Sequence, residues 1–238
     1  MLTLSDHLDV AALNRAFAQR RRLRIPGVLA PAGAEAAAAA LEAFHGWSVC
    51  VAAGGEHFEL PLKDRRAAEP SKQGWIDQAR IDGTDPRMQF IYDTRRIAVE
   101  HATGQQIDVV SGFPAFLNGT AFLDFARAVT GDDRIDHASA QATRYRPGQA
   151  LTIHDDTGLG TGRLYAYVLN LTREWSVDWG GALVFPGDDG HIEQGFVPTF
   201  NGLNIFAVPM QHAVTQVATF APRDRYAITG WLRIGEGN

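Results

Sequence analysis

The spacing of apolar and polar residues changes near residue 131. Before that point helical spacing dominates. Val10, Leu13 and Phe17 repeat at intervals of three and four residues, which predicts an amphipathic helix with Ser5 as its cap. After that point short apolar stretches alternate with turn residues, which is typical of strands. The chain therefore combines a helical first part with a β-rich second part.

Two further helices and two strands are predicted in the first part. A second, alanine-rich helix should begin at Pro31 and run to about Phe44, because proline is tolerated in a first helical turn. A third should run from about Asn118 to Val129, and strands are expected at Trp47–Val51 and His57–Leu60. The polar stretch Lys63–Asp85 has weak patterning and could be a mobile lid or a helix with a loop.

The second part contains eight short, evenly spaced strand candidates separated by glycine, proline and aspartate. This spacing indicates a sandwich or jelly roll rather than a parallel α/β sheet. The predicted strands are Ala140–Tyr145, Ala150–Asp156, Arg163–Leu171, Ala182–Phe185, Glu193–Val197, Leu203–Val208, Ala213–Val217 and Tyr226–Leu232.

Length and composition are those of a globular protein. The 238 residues, 45% of them apolar, fit one large domain or two small ones. We predict a single domain over 1–238. Residues 1–130 would form a mainly helical support with short strands, and 131–238 would form the core.

Charge and cysteine content narrow the possible functions. With 22 basic and 27 acidic side chains the net charge is −5, which argues against nucleic-acid binding. The sequence has no apolar run of about 18 residues, the length that a membrane-spanning helix needs. Cys50 is the only cysteine, so we expect a reducing cytoplasm and a metal site, if any, built from His, Asp or Glu.

One basic cluster stands out against this acidic background. Arg20, Arg21, Arg22 and Arg24 could bind an anionic partner. In a chain of net charge −5 we interpret them instead as a solvated helix end.

The segment around His154 has the residue types of a metal site. On a strand His154 and Asp156 would point to the same side, so both could bind one ion. His212, at the start of a later predicted strand, could supply a third ligand. Two histidines and one carboxylate are the ligands of non-haem Fe(II) oxygenases, whose remaining coordination positions stay open.

A candidate carboxylate clamp follows in the run from Arg225 to Trp231. Arg225 and Thr229 would share one strand face. A guanidinium inside a barrel needs an anionic partner, and arginine binds carboxylates through two parallel hydrogen bonds. The alternative is an arginine that reaches solvent at the strand start.

In this order the motifs resemble a known family. His154-x-Asp156, the run WSVDWGG over 175–181, His212 and the run RYAITGW over 225–231 resemble the prolyl hydroxylase-like branch of the Fe(II)- and 2-oxoglutarate-dependent dioxygenases. The resemblance covers roughly Ala140–Arg233. It implies an α+β fold, a double-stranded β-helix (jelly roll) core with N-terminal helices packed on its outer face.

The resemblance also implies roles for single residues. His154, Asp156 and His212 match the iron ligands. Arg225 matches the residue that pairs with the distal carboxylate of 2-oxoglutarate, and Thr229 matches the hydroxyl beside it.

Three further positions bear on the cosubstrate. Tyr145 matches a cosubstrate-contacting tyrosine, and Asn170 falls near a position where several relatives carry another one. The separation between His212 and Arg225 is longer than in the better-known members, so Arg223 is a rival for the clamp.

The family implies Fe(II), 2-oxoglutarate and O2, with ascorbate as a possible reductant. The expected reaction is hydroxylation of an unactivated C–H bond, and the expected substrate is a prolyl residue of a protein or peptide. Free proline or another small molecule is an alternative substrate. A jelly-roll module that binds a metal or carboxylate as a sensor, without turnover, is the alternative of another class. The sequence indicates neither a nucleic-acid nor a membrane partner.

Overall fold

The computed structural model describes residues 1–62, 81–97, 112–157 and 162–235. Four helices lie in these ranges: α1 (Val10–Arg20), α2 (Pro31–Ala43), α3 (Phe113–Leu117) and α4 (Thr120–Thr130). The strands are β1 (Arg22–Pro26), β2 (Ser48–Ala53), β3 (Glu56–Pro61), β4 (Phe90–Ile97), β5 (His137–Ala138), β6 (Ala140–Tyr145), β7 (Ala150–His154), β8 (Arg163–Asn170), β9 (Leu183–Pro186), β10 (Ile192–Phe196), β11 (Gly202–Ala207), β12 (His212–Val214) and β13 (Arg225–Arg233).

The strands form one antiparallel sheet that curls into a nearly closed jelly roll. Its order is β1-β11-β8-β13-β6-β4-β7-β12-β9-β10, with β2 and β3 added beside β4 and β5 beside β13. Strands β1 and β10 end this order, so each of them has one free edge. The predicted α+β jelly roll is confirmed.

Two apolar layers hold the helices and the sheet together. The larger one packs the helices against the outside of the sheet, through Phe17, Leu41 and Phe125 on the helices and Ile228 and Leu232 on β13. The smaller one fills the inside of the jelly roll and includes Phe185, Phe196, Phe206 and Ala227. Strand β13 contributes to both layers because successive side chains point to opposite faces.

The predicted cap of the first helix is wrong. The helix begins at Val10, and the carboxylate of Asp9 accepts the hydrogen bond from the backbone N–H of Ala12. The Ser5 hydroxyl lies further upstream and contacts Nδ1 of His7 instead. Asp and Ser cap helices equally well, so the apolar spacing alone could not choose between them.

The first part of the chain contributes more to the sheet than expected. Strands β2 and β3 match the two predicted segments, but β1 and β4 were not predicted. β4 is central, because it pairs with β6, β7 and β2 and so connects the two halves of the jelly roll. Residue 131 is therefore not a boundary in the sheet, and the single-domain arrangement stays a prediction.

The interpretation of the basic cluster as a solvated helix end holds for Arg20 and Arg21, which are exposed at the end of the first helix, but is wrong for Arg22 and Arg24. Helix α1 ends at Arg20, and Arg22 and Arg24 lie on β1. Arg22 is only 8% exposed. Its guanidinium pairs with Glu193 at 2.7 Å and lies 4.9 Å from the ring centre of Phe185.

The stretch Lys63–Asp85 lies outside the described residues up to position 80, so its predicted lid or helix stays a prediction. Among the residues that are described, no helix is long and apolar enough to cross a membrane.

Candidate active site

His154 and Asp156 lie at the end of β7, in a geometry that differs from the expected one. The strand ends at His154, and Asp156 follows in a left-handed turn with φ of +64°. Aspartate tolerates this conformation better than most residues. The two side chains thus meet because the chain turns after His154, and not because they alternate along one strand.

Strand β12 brings His212 to the same place. It pairs antiparallel with β7, and His212 lies directly opposite His154. Nε2 of His154 is 3.6 Å from Oδ1 of Asp156, and Nε2 of His212 is 3.7 Å from Oδ2. One ligand atom from each residue lies within 4.8 Å of the others. The structure therefore brings the three predicted residues together.

Backbone carbonyls fix both imidazoles in the tautomer that a metal needs. Nδ1 of His154 lies 2.9 Å from the carbonyl oxygen of Thr152, and Nδ1 of His212 lies 2.8 Å from that of Met210. A carbonyl oxygen only accepts, so both Nδ1 atoms must carry the proton. Both Nε2 atoms then turn a lone pair toward the cluster.

Electrostatics also favour a cation between these three side chains. Burial, with the neighbouring His154, lowers the pKa of His212 to about 4, so this imidazole is neutral at pH 7. The Asp156 side chain is 9% exposed, and no lysine or arginine of the described ranges lies within ion-pair distance of its carboxylate. A buried carboxylate facing two imidazole nitrogens fits a divalent metal such as Fe(II).

Arg225 extends into the interior next to this cluster. It is 1% exposed and lies over the ring of Tyr145, with Cζ 5.1 Å from the ring centre. Tyr145 packs with Val214, two residues beyond His212. The arginine and the metal-ligand cluster thus share one interior.

Most of the donor groups of Arg225 are left without protein partners. Nη2 donates to Oδ1 of Asn170 at 3.3 Å, while Nε and Nη1 are buried and unpaired in the described part of the chain. Asn170 in turn donates to the carbonyl of Gly202 at 3.2 Å. Burial lowers the pKa of Arg225 and raises that of Tyr145. A buried guanidinium with two free donors fits an incoming carboxylate.

Arg223, the rival for this role, lies at the surface. Its guanidinium pairs with Glu174 at 3.0 Å and donates to the carbonyl of Arg173 at 3.2 Å. Its side chain is 39% exposed. It therefore has its own partners outside the interior that Arg225 enters.

Thr229 shares the inner face of β13 with Arg225 but lies further along the strand. Four residues at about 3.3 Å each separate the two Cα atoms by about 13 Å. In the sheet Arg225 is opposite Tyr145, whereas Thr229 is opposite Gln141 and Val168. The two side chains would therefore contact different ends of a small ligand.

Arg163 and Trp231 were not predicted as site residues. Nη1 of Arg163 donates to the backbone carbonyl of Asp156 at 3.1 Å, and its Cζ lies 3.7 Å from the ring centre of Trp231. Nε of Arg163 and Nε1 of Trp231 are buried without a partner among the described residues. The signal in the sequence was Trp231, which shares the strand face of Arg225 and Thr229.

Gly181 keeps the space that Arg225 occupies, and this supports a prediction. A Cβ at Gly181 would lie 3.0 Å from Cδ of Arg225, and the residue has φ of +63°. Gly181→Ala is therefore expected to displace the guanidinium and raise the 2-oxoglutarate concentration needed for half-maximal turnover about tenfold. Initial rates at varied 2-oxoglutarate measure this change.

Gly190→Ala is the matched control. Gly190 also has a positive φ, +80°, but a Cβ there would meet nothing within 4 Å. Both variants carry the same kind of backbone strain, about 1 kcal/mol, so both should melt at a slightly lower temperature. An equal loss of 2-oxoglutarate use in both variants would contradict the assigned contact.

Comparison with known proteins agrees with this geometry. Residues 140–233 match the family model described as the 2OG-Fe(II) oxygenase superfamily. A search of curated proteins found no match.

Solved structures share the fold at low sequence identity. A prolyl-4-hydroxylase from Pseudomonas putida is 17% identical, with a TM-score of 0.58 over 95% of this chain and 100% of the other. A 2OG-Fe(II) oxygenase family oxidoreductase from Burkholderia pseudomallei is 12% identical, with a TM-score of 0.59 over 99% and 95%. A prolyl hydroxylase from Trichoplax adhaerens, in complex with a hypoxia inducible factor peptide, is 13% identical, with a TM-score of 0.59 over 94% and 89%.

The family match and the shared fold confirm the resemblance expected from the motifs. The stretch 140–233 contains β6–β13, and so includes the His154, Asp156 and His212 cluster together with Arg225. The match to this family model supports a dioxygenase, and the family it describes uses Fe(II), 2-oxoglutarate and O2.

Proposed function

We propose that this 2OG-Fe(II) oxygenase hydroxylates a prolyl residue of a protein or peptide. One observation carries the oxygenase part of this proposal: three metal-type ligands converge beside a buried arginine whose Nε and Nη1 have no partner in the described chain. A metal-binding sensor would need the ligands but not the arginine. The arginine is what a dicarboxylate cosubstrate requires.

The residues divide the work between two ends of the site. His154, Asp156 and His212 would hold Fe(II), and both Nε2 atoms are already directed toward the cluster. Arg225 would bind the distal carboxylate of 2-oxoglutarate through Nε and Nη1, with Asn170 fixing Nη2 and Tyr145 covering the guanidinium. When bound, the iron supplies the oxidative chemistry with O2 and 2-oxoglutarate.

Thr229 completes the proposed cosubstrate contacts from further along β13. We propose that it contacts the part of 2-oxoglutarate away from Arg225, because it lies four residues further along the strand. The carboxylate of Asp156 also bears on the reaction type, because a carboxylate ligand leaves no vacant position for a halide. This supports hydroxylation.

Two residues next to Asp156 support a peptide substrate. Trp231 offers an apolar ring face suited to a pyrrolidine ring, and Arg163, stacked on it, has a free Nε donor suited to a peptide carbonyl. The prolyl-4-hydroxylase and the peptide-bound prolyl hydroxylase that share the fold are consistent with this substrate class.

We also propose ascorbate as the reductant in the assay and the cytoplasm as the compartment.

Mass spectrometry of treated extract tests the substrate class. The chain with Fe(II), ascorbate and 2-oxoglutarate is incubated with cell-extract proteins, with His212→Ala as the inactive control. We expect peptides that gain one oxygen on proline only with the unaltered chain, together with succinate. Succinate formed with free proline, and no oxidised peptide, would favour the small-molecule alternative. No succinate with any substrate would favour the sensor.

A further inference from the structure

A cavity in the described part of the chain is lined by none of the three residues of the metal-ligand cluster. It measures about 570 Å³ and lies between β1 and β10, the first and last strands of the sheet order. Three arginines line it, Arg20 at the end of α1 and Arg22 and Arg24 on β1, with Gln194 and Thr199 opposite. We call this cavity the arginine seam.

The charges of the seam are only partly neutralised. Arg22 donates to Gln194 at 2.7 Å and pairs with Glu193 at 2.7 Å. Arg24 donates only to the uncharged hydroxyl of Thr199, at 2.5 and 3.1 Å. Neither Arg20 nor Arg24 has a carboxylate within ion-pair distance among the described residues. In a chain of net charge −5 these two cations favour an anionic partner.

The backbone of β1 adds a second feature. Strand β1 pairs antiparallel with β11, and the Arg21 carbonyl accepts a hydrogen bond from the Ala207 N–H. In an antiparallel pair every second residue bonds to the partner strand, so the residues that bond to β11 are those counted in steps of two from Arg21. The N–H and C=O groups of Arg22 and Arg24 therefore point to the open edge, where no described residue pairs with them. An open strand edge is a template for another strand.

Spacing connects the two features. Arg22 and Arg24 are two residues apart on a strand, so their side chains leave the same face about 7 Å apart. An extended peptide that pairs with β1 has side chains at the same repeat, so one of its acidic side chains would lie opposite Arg24, the arginine of this pair that has no carboxylate partner among the described residues. A compact anion would use one arginine and none of the backbone groups.

We propose that the arginine seam binds an extended acidic peptide, which pairs with the open edge of β1 and places its carboxylates against Arg24 and Arg20. This mode of recognition takes affinity from main-chain hydrogen bonds and specificity from alternate side chains. The proposal does not depend on the oxygenase function.

Fluorescence anisotropy with a labelled Glu-Val-Glu-Val-Glu-Val peptide tests it on the full chain. We expect saturable binding that weakens as salt is raised. Arg20→Ala and Arg24→Ala should each weaken it about fivefold, within the range for one solvent-accessible ion pair. Arg15→Ala, an exposed arginine of α1 outside the cavity, should leave it unchanged. Arg22 is left intact because its buried ion pair supports the fold.

Two further probes separate this partner from other anions. A fully N-methylated version of the peptide keeps the carboxylates but cannot donate backbone hydrogen bonds, and it should bind at least about tenfold more weakly. Equal binding of the methylated peptide, together with displacement by tripolyphosphate, would identify a small-anion site and overturn the proposal. Absent binding of the parent peptide, or equal binding of a Lys-Val peptide, would overturn it as well.

Discussion

Asp156→Asn is expected to reduce turnover of 2-oxoglutarate at least about a hundredfold while leaving the fold intact. The amide is a much weaker metal ligand than the carboxylate, so Fe(II) would lose one of its three protein contacts. Succinate formation at saturating Fe(II) measures activity, and Fe(II) affinity by anaerobic titration shows whether metal binding is the cause.

The choice of asparagine follows from the backbone at this position. Asp156 has φ of +64°, where an alanine would add strain of about 1–2 kcal/mol to the loss of a ligand. Asparagine adopts this conformation readily, and so does glycine. Asp156→Asn and Asp156→Gly should therefore fail to the same degree and melt close to the unaltered chain.

Asp155→Asn is the matched control. The Asp155 carboxylate accepts hydrogen bonds from the N–H and hydroxyl of Thr157, at 2.9 and 2.6 Å, and its side chain is not part of the cluster. The amide oxygen of asparagine can accept the same bonds, so this variant should stay active. Full activity of Asp156→Asn, or a comparable loss in Asp155→Asn, would contradict the ligand assignment.

Arg225→Met is expected to remove 2-oxoglutarate use and, at the same time, to leave the ligand-free chain as stable or more stable. The arginine is 1% exposed, and its Nε and Nη1 have no partner in the described chain. A buried charge without partners lowers the free energy of unfolding until an anion binds to it. Replacing it by an apolar side chain of similar size should raise the free energy of unfolding by about 1 kcal/mol.

Thermal melts with and without 2-oxoglutarate measure both effects. At a hundred times its Kd, a ligand stabilises the fold by about 2.7 kcal/mol, so the unaltered chain loaded with Mn(II) should melt higher with 2-oxoglutarate. Arg225→Met should show no such rise. A loss of 2-oxoglutarate use together with an unchanged or higher stability would identify Arg225 as a binding residue and not a structural one.

Arg223→Met is the control for the same change of residue type. Arg223 pairs with Glu174 at the surface, so its loss should leave the 2-oxoglutarate requirement unchanged. Exposed ion pairs contribute little, about 0–1 kcal/mol, so its stability should change slightly. A 2-oxoglutarate effect in Arg223→Met alone would make Arg223 the clamp.

The sequence predicted the metal cluster because residue identity carried the signal. His154, Asp156 and His212 were chosen as ligand types at strand ends, and the structure brings them together. The predicted backbone geometry around Asp156, however, was wrong. A strand was expected to run through Asp156, whereas a turn begins after His154, and such a turn depends on a φ value that the pattern of residue types does not encode.

The strands that were missed contain charges that conceal their spacing. β1 reads RLRIP and β4 reads FIYDTRRI, so alternation is interrupted by arginine and aspartate. In β4 Asp93 is fully buried and accepts hydrogen bonds from Arg144 at 2.6 and 2.8 Å. Such pairing depends on a partner strand far along the chain. The basic cluster was misinterpreted for the same reason, because Glu193 and Phe185 become neighbours of Arg22 only in the fold.

Anaerobic addition of 2-oxoglutarate to the chain with Fe(II) tests the central claim most directly. If His154, Asp156 and His212 bind Fe(II) and Arg225 orients 2-oxoglutarate onto it, a visible metal-to-ligand charge-transfer band should appear, and His212→Ala should not give it. A folded chain that binds both Fe(II) and 2-oxoglutarate without this band, or a band that persists in His212→Ala, would contradict the account.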